Sequence, residues 1–130
     1  MSSVVILGAK RTALGALLGQ FTGVPATELG ATAIRAAMLQ AGIAPDHIDE
    51  VIMGCVLPAG LGQAPARQAA NGAGIALKTG ATTINKVCGS GMKAVMFGHD
   101  LIKAGSANVV VAGGMESMTN APHLLMNSRT

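Results

Sequence analysis

The chain has 130 residues, half of them hydrophobic, with 12% charged residues and a net charge of +3. This length predicts a single domain with its own core, and the composition excludes a disordered chain. Two Cys exclude a disulfide scaffold, and two Phe as the only aromatic residues exclude a stacking platform for single-stranded nucleic acid. Because the nine basic residues are scattered, no nucleic-acid partner is expected. The shortage of charge indicates that part of the surface is covered by a partner or by further chain.

The N-terminal segment predicts a strand rather than a targeting signal. Its apolar run at residues 3–7 is short, and the positive charges of Lys10 and Arg11 follow that run instead of preceding it. No stretch approaches the ~18 uninterrupted apolar residues that would cross a bilayer. We therefore expect a cytoplasmic protein that does not enter a membrane.

Short apolar runs alternate with helical patterns along the chain, which is typical of βαβ units and a parallel sheet. Residues 3–7 predict a strand buried on both faces, and residues 26–41 predict a helix that ends at Gly42. The remaining predictions are a strand at 50–56, a helix at 65–77, a strand at 82–87, a helix at 89–104 and a strand at 108–112. The expected fold is α/β, with a mostly parallel βαβαβαβ sheet and flanking helices. Ligands of such sheets bind beyond the carboxyl ends of the strands.

The helix predicted at residues 89–104 carries apolar residues on two sides. One side has Met92, Val95, Met96, His99 and Ile102, and another has Ala94, Phe97, Gly98 and Leu101. Its charged residues form one narrow stripe, whereas a helix that lies on a single sheet has a wider polar face. We therefore predict a sandwiched helix whose second side no other part of the chain can cover.

The most informative segment is Asn85-Lys86-Val87-Cys88-Gly89-Ser90-Gly91-Met92-Lys93, where a predicted strand passes into this helix. Gly89 and Gly91 allow a tight turn, as glycines do around a nucleophile elbow. A helix N-terminus beside Cys88 favours the thiolate, the reactive form, and its N–H groups can stabilise an oxyanion. Cys88 is therefore a candidate nucleophile, and a buried structural cysteine is the alternative.

A second interpretation of this segment is a dinucleotide-binding module. Gly89-Ser90-Gly91-Met92-Lys93-Ala94 matches the G-x-G-x-x-A pattern between a strand and a helix. Such a site uses an acidic residue at the end of the next strand, and Glu116 lies slightly beyond that strand. This interpretation gives Cys88 no role.

Four segments, in the correct order, resemble the thiolase family and in particular its acetyl-CoA acetyltransferases. The segment from Asn85 to Ala94 closely resembles the nucleophile motif of that family. The others are Arg11-Thr12-Ala13-Leu14-Gly15, similar to R-T-P-x-G; Pro65-Ala66-Arg67-Gln68-Ala69-Ala70, similar to N-P-A-R-Q-A; and Gly113-Gly114-Met115-Glu116-Ser117-Met118, similar to G-G-M-E-S-M, with Asn120-Ala121-Pro122-His123 as the following loop. Ala13 and Ala64 replace the usual Pro and Asn.

The resemblance implies that Cys88 attacks an acyl-CoA thioester, forms an acyl-cysteine and serves Claisen condensation or thiolysis. Acetyl-CoA and CoA would be substrates, with no resident cofactor and no metal. The family also uses a His in a G-H-P motif, a second Cys in C-x-G and an Asn in N-E-A-F, none of which this sequence contains. We therefore expect the chain alone to be inactive in turnover, because general-base contributions are worth ~10²–10⁴-fold.

The remaining candidate residues receive structural interpretations. Cys55 lies within a predicted strand, and His99 lies within a helix without a following Pro, so we predict a packed or semi-buried imidazole. His47 is expected to be solvated in a turn, and Arg67 to brace loops rather than bind a phosphate. His123 matches the family's loop, and its proximity to an interface is a hypothesis.

Family members are longer and have two similar halves, so the resemblance implies an incomplete N-terminal half. Residues 1–114 would be the incomplete core and residues 115–130 the start of the family's loop domain. The full-length form would be a homo-oligomer, either a dimer or a tetramer. The alternative to an enzyme is a catalytically inactive piece that acts only in assembly or interaction.

Overall fold

A computed structural model describes residues 3–129, and a three-stranded parallel sheet lies at its centre. The strands are β1 (Glu50–Gly54), β2 (Gly80–Ile84) and β3 (Val110–Gly114), in the order β2-β1-β3. In the register, Glu50 pairs with Gly80 on one side and with Val110 on the other. The α/β class, with a parallel sheet and flanking helices, is confirmed.

Three helices accompany the sheet: α1 (Ala26–Ala41), α2 (Pro65–Gly72) and α3 (Ser90–Lys103). The predicted bounds of α1 are confirmed, and Gly42 ends it in the left-handed conformation with its N–H directed at the last carbonyls. Single-turn 3₁₀ helices lie at Pro45–His47 and Met118–Asn120. Among residues 3–129, no helix has the length and apolar character needed to cross a membrane.

The strand order places the helices in separate layers. The crossover from β1 to β2 and the crossover from β2 to β3 run in opposite directions along the sheet. Because both crossovers are expected to be right-handed, α2 and α3 lie on opposite faces. The α1 helix packs on α2, so the order of layers is α1 and α2, then the sheet, then α3.

Small side chains form the layer between the sheet and the first two helices. The core cluster on this side combines alanines of α1 and α2 with Val51 and Met53 of β1. Gly72 approaches Ala31 so closely that a Cβ on Gly72 would lie 3.0 Å from the Ala31 Cβ. The abundance of Ala and Gly in the sequence therefore reflects helices that pack at short distance.

The opposite face of the sheet packs on a stripe of small residues in α3. The buried residues of this helix are Ser90, Ala94 and Gly98, spaced four apart. The large apolar residues Met92 and Met96 point away from the sheet, and 75% of Met92 is exposed. Within residues 3–129 the second apolar side of α3 is uncovered, as the sequence predicts.

The strand predicted at residues 3–7 is wrong. This segment has no partner strand within residues 3–129, and 80% of Ile6 is exposed. The backbone N–H of Ala9 bonds instead to the side chain of Gln40 on α1, at 2.9 Å. An aliphatic run forms a buried strand only where a sheet edge lies beside it, and the described residues place none there.

The other differences concern boundaries. Helix α2 ends at Gly72 instead of residue 77, because Gly74 takes a positive φ of 86°. Strand β2 starts at Gly80, two residues before its predicted start, and ends at Ile84 instead of residue 87. Strand β3 starts at Val110, two residues after its predicted start. Residues 85–88, predicted in part as strand, form the turn that leads into α3.

Candidate functional site

The carboxyl ends of the three strands meet at one edge of the sheet. Cys55 follows β1, Asn85 follows β2 and Met115 follows β3. The Cys55 N–H donates to the Ile84 carbonyl at 3.0 Å, and the Met115 N–H donates to the Gly54 carbonyl at 2.9 Å. These bonds continue the sheet by one step and bring the candidate segments together where ligands of parallel sheets bind.

Cys88 lies in the turn between β2 and α3 and is exposed. It precedes Gly89, the N-cap residue of α3, so its side chain stands at the start of a 14-residue helix. The first N–H groups of a helix have no intrahelical partner and carry the positive end of the dipole. The Gly89 and Ser90 N–H groups already donate to the Lys86 and Val87 carbonyls, at 3.1 Å each. The turn therefore offers an accessible thiol beside the positive end of the helix dipole, but these two donors are occupied.

The residue before Cys88 has an unusual backbone conformation. Val87 has a φ of 49°, in the left-handed region that β-branched residues seldom occupy. Its N–H donates to the Asn85 Oδ1 at 2.9 Å, and its carbonyl accepts the Ser90 hydroxyl at 2.6 Å. The same hydroxyl accepts the Lys86 N–H at 2.8 Å. Hydrogen bonds on both sides thus hold the turn in this shape.

Cys55, the second thiol, has the opposite environment. It is buried, with 2% of its surface exposed, and its Sγ lies 3.7 Å from Glu116 Oε1. Burial and the nearby Glu116 carboxylate raise the pKa of Cys55 to about 11, because both disfavour the thiolate. The structural interpretation of Cys55 therefore agrees with its surroundings.

Glu116 holds the loop after β1. Its carboxylate accepts the Val56 N–H at 2.8 Å and the Leu57 N–H at 3.1 Å. An acidic residue bound to its own protein's backbone is not available for a ribose hydroxyl. The dinucleotide interpretation, which needs this acid, therefore loses its support.

The remaining candidates lie outside this edge of the sheet or have structural contacts. The side chain of His99 is half-exposed on α3 and bonds to Asp100, at 3.0 Å. His47 is exposed, as predicted, and His123 is exposed in the C-terminal segment. The Arg67 guanidinium donates to the Leu77 carbonyl at 3.5 Å, which fits the loop-bracing interpretation.

Three polar residues have roles that the sequence interpretation does not assign. Asn85 and Ser90 bond to the backbone around Val87, and Asn120 bonds to the carbonyls of Phe21 and Val24. The spacing from Asn85 to Val87 is that of an Asx-turn, a signal the sequence does contain. The contacts of Asn120 join residues 96 and 99 positions apart, so no local sequence pattern predicts them.

Comparisons with known proteins place this geometry in a family. The family described as "Thiolase, N-terminal domain" matches residues 4–130. Acetyl-CoA acetyltransferase from Cupriavidus necator is 56% identical over 129 residues, which are 99% of this chain and 33% of that protein. The mitochondrial acetyl-CoA acetyltransferase B of Xenopus laevis is 52% identical over 130 residues, which are 100% of this chain and 31% of that protein.

A solved structure gives the same result for the fold. The crystal structure of a thiolase from Ascaris suum in complex with coenzyme A has a TM-score of 0.92 and 39% identity, covering 94% of this chain and 32% of that one. The chain spans about one third of the length of the curated relatives it matches. Since the match to this N-terminal-domain family covers nearly the entire sequence, the chain belongs to the thiolase family.

Proposed function

We propose that this chain is the nucleophile-bearing portion of an acetyl-CoA acetyltransferase and that Cys88 is its acyl-accepting residue. The observation that carries the proposal is the position of Cys88, an exposed thiol in a fixed turn at a helix N-terminus. Membership of the thiolase family supports the reaction class, and the names of the most similar relatives support the substrate. The catalysed reaction would be Claisen condensation or thiolysis of acyl-CoA esters.

The first chemical step transfers an acetyl group between two sulfur atoms. The Cys88 Sγ attacks the thioester carbonyl carbon, and a tetrahedral intermediate forms whose negative oxygen is stabilised by the positive end of the α3 dipole. The bond from that carbon to the CoA sulfur then breaks, and CoA leaves as a thiolate that takes the proton given up by Cys88. The products are acetyl-Cys88 and free CoA.

We propose that CoA esters act as substrates and that no resident cofactor takes part. A thioester is already an activated acyl group, and exchange for another thioester keeps it activated for formation of a carbon–carbon bond. Turnover also needs a base and a second thiol, for which the described residues offer no counterpart beside Cys88 because Cys55 is buried. This chain alone is therefore expected to perform only the first half-reaction.

Acetylation of the chain by acetyl-CoA tests the proposal. We expect one adduct of one acetyl group, located at Cys88 by peptide mapping and released by neutral hydroxylamine, which cleaves thioesters and spares acetylated amines. Cys88→Ala removes the labile adduct. The matched control Cys55→Ser retains it, because Cys55 is buried away from the substrate.

Absence of a labile adduct on the wild-type chain, or its persistence in Cys88→Ala, would contradict the nucleophile assignment. The alternative would then be a catalytically inactive piece used in assembly, which the uncovered apolar side of α3 favours.

We also propose that the full-length form is a homo-oligomer, for which sedimentation of the whole protein is the measurement. The division into a core at residues 1–114 and a loop region from residue 115 is likewise a proposal, supported by β3 ending at Gly114.

A further inference from the structure

We propose that Ser90 and Asn85 are positioning residues for the nucleophile: together they hold Val87 in its left-handed conformation and thereby aim the Cys88 thiol. This inference rests on the proposed function, since it assumes that Cys88 accepts the acyl group. It adds two residues that do not touch the reacting atoms and act through the backbone of the turn.

The need for such residues follows from the identity of residue 87. A β-branched side chain in the left-handed region meets its own backbone, so the turn relaxes unless surrounding bonds prevent it. Val87 is exposed, and its side chain therefore gains little packing in compensation. The polar contacts on either side of Val87 must supply the restraint.

Ser90 supplies one half of the restraint. Ser90 is 4% exposed, and its hydroxyl makes two short bonds, accepting from the Lys86 N–H and donating to the Val87 carbonyl. The Ser90 N–H donates to the same Val87 carbonyl at 3.1 Å. The peptide group between Val87 and Cys88 is therefore fixed by its carbonyl, which sets the direction in which the Cys88 Cα–Cβ bond leaves the turn.

Asn85 supplies the other half. Its Oδ1 accepts the Val87 N–H at 2.9 Å, and its Nδ2 donates to the Val56 carbonyl at 3.4 Å. Val56 is itself held by the Glu116 carboxylate. The turn is thus connected through Asn85 to the loop after β1, so its position relative to the sheet is defined as well as its shape.

The direction of the Cys88 thiol affects the rate of acyl transfer more than it affects the access of small reagents to the sulfur. Attack on a thioester carbonyl needs the sulfur, the carbonyl carbon and the oxyanion donors in one geometry, and a displacement of about 1 Å costs up to roughly a hundredfold in rate. Alkylation by a small freely tumbling reagent has no such requirement. Loss of Ser90 or Asn85 should therefore separate the two reactions.

The experiment measures both reactions of Cys88 on the whole chain. Single-turnover acetylation by acetyl-CoA is followed at several acetyl-CoA concentrations through the hydroxylamine-labile adduct, and alkylation by iodoacetamide is followed in parallel. The variants are Ser90→Ala, Asn85→Ala and Asn85→Ser, which keeps an uncharged side-chain oxygen for the Val87 N–H. Ser106→Ala and Asn71→Ala are the matched controls, since both residues are exposed outside the turn.

The expected result is a fall of about tenfold or more in the acetylation rate constant for Ser90→Ala and Asn85→Ala, with a half-saturating acetyl-CoA concentration close to wild type. Alkylation should stay within about twofold of wild type, and Asn85→Ser should recover most of the acetylation rate. A purely structural role would change stability and leave the ratio of the two rates unchanged. Because Asn85 is exposed, its variants serve as the test even where Ser90→Ala fails to fold.

Two results would overturn the inference, and they are distinguishable. If wild type is acetylated and both alanine variants keep the wild-type ratio of acetylation rate to alkylation rate, the positioning role is wrong while the proposed function stands. If wild type forms no labile adduct at Cys88, the proposed function is wrong and the positioning role falls with it.

Discussion

Two thiols of one small chain lie at the same edge of the sheet in different surroundings. Cys55 directly follows β1 and contacts Glu116, whereas Cys88 stands exposed in the turn before α3. The difference arises from the position of each cysteine relative to the end of its strand. A cysteine at the end of a central strand is covered from both faces, while a cysteine that precedes Gly89 is carried out of the sheet by the turn.

Alkylation of the folded chain should therefore be selective. At pH 8 we expect iodoacetamide to modify Cys88 at least about a hundredfold faster than Cys55, because Cys55 is buried and its raised pKa of about 11 leaves roughly one thiolate in a thousand. The measurement is the rate of mass increase, resolved by peptide mapping. Rapid labelling of both thiols in denaturant is the control. Equal alkylation rates for Cys55 and Cys88 in the folded chain would contradict the burial of Cys55 and the exposure of Cys88.

The different roles of the two cysteines are predictable from the sequence. The Gly-x-Gly pattern after a strand identifies Cys88 as the nucleophile candidate, and the placement of Cys55 within the strand predicted at residues 50–56 identifies it as structural. The positive φ of Val87 is not predictable, because valine disfavours it. The roles of Ser90 and Asn85 depend on that backbone angle and therefore become visible only in the structure.

At the scale of elements, the close approach of α3 to the sheet depends on glycine. A Cβ on Gly54 would lie 2.5 Å from the Ser90 Cβ and 2.9 Å from the Gly91 backbone nitrogen. Neither atom belongs to a flexible side-chain end, so α3 would have to move away from β1. Gly54 is thus a strand residue that determines where the helix begins.

Gly54→Ala should destabilise the chain by about 1–3 kcal/mol, the usual range for an overpacked core position. The measurement is the free energy of unfolding in urea. Gly89→Ala is the matched control at the same junction, because its new Cβ would meet only the Lys86 carbonyl oxygen, at 3.4 Å, and φ there is −86°. The control should lose less than about 1 kcal/mol; an equal loss for both variants would contradict the close-approach explanation.

Periodicity predicts the existence and order of the elements from α1 to β3 because each carries its own signal. Residues 26–41 have helical spacing followed by Gly42, and both the spacing and the glycine are local. The segment at residues 3–7 has an equally clear strand pattern and forms no strand among the described residues. A strand depends on a neighbour, and a neighbour is not a local property of the sequence.

At the scale of the whole molecule, the shortage of charge has a location. The outward side of α3 exposes Met92, Val95 and Met96, and further apolar side chains are exposed at residues 5–7 and 124–126. The low content of charged residues alone predicts that apolar surface is exposed. The second apolar side of α3 predicts where part of this surface lies. The chain covers about one third of the length of the relatives it matches.

Exposed apolar surface should make the isolated chain self-associate. The double variant Met92→Gln with Met96→Gln should lower the associated fraction in size-exclusion chromatography with light scattering, because both side chains point away from the sheet. Its free energy of unfolding should stay within about 0.5 kcal/mol of wild type. Leu39→Gln is the control, since Leu39 is 84% exposed on α1. An effect of the control as large as that of the double variant would argue against the α3 side as the main site of association.

The contacts of Asn120 have a consequence for the order of folding. Its side chain accepts the Gly23 N–H and donates to the carbonyls of Phe21 and Val24, residues 96 to 99 positions earlier in the chain. Closing a loop of that length requires the intervening chain to be folded or to lose its freedom at that moment. Residues 21–24 can therefore receive these bonds only after Asn120 has been synthesised, so this tie between the two ends of the described chain forms late in translation.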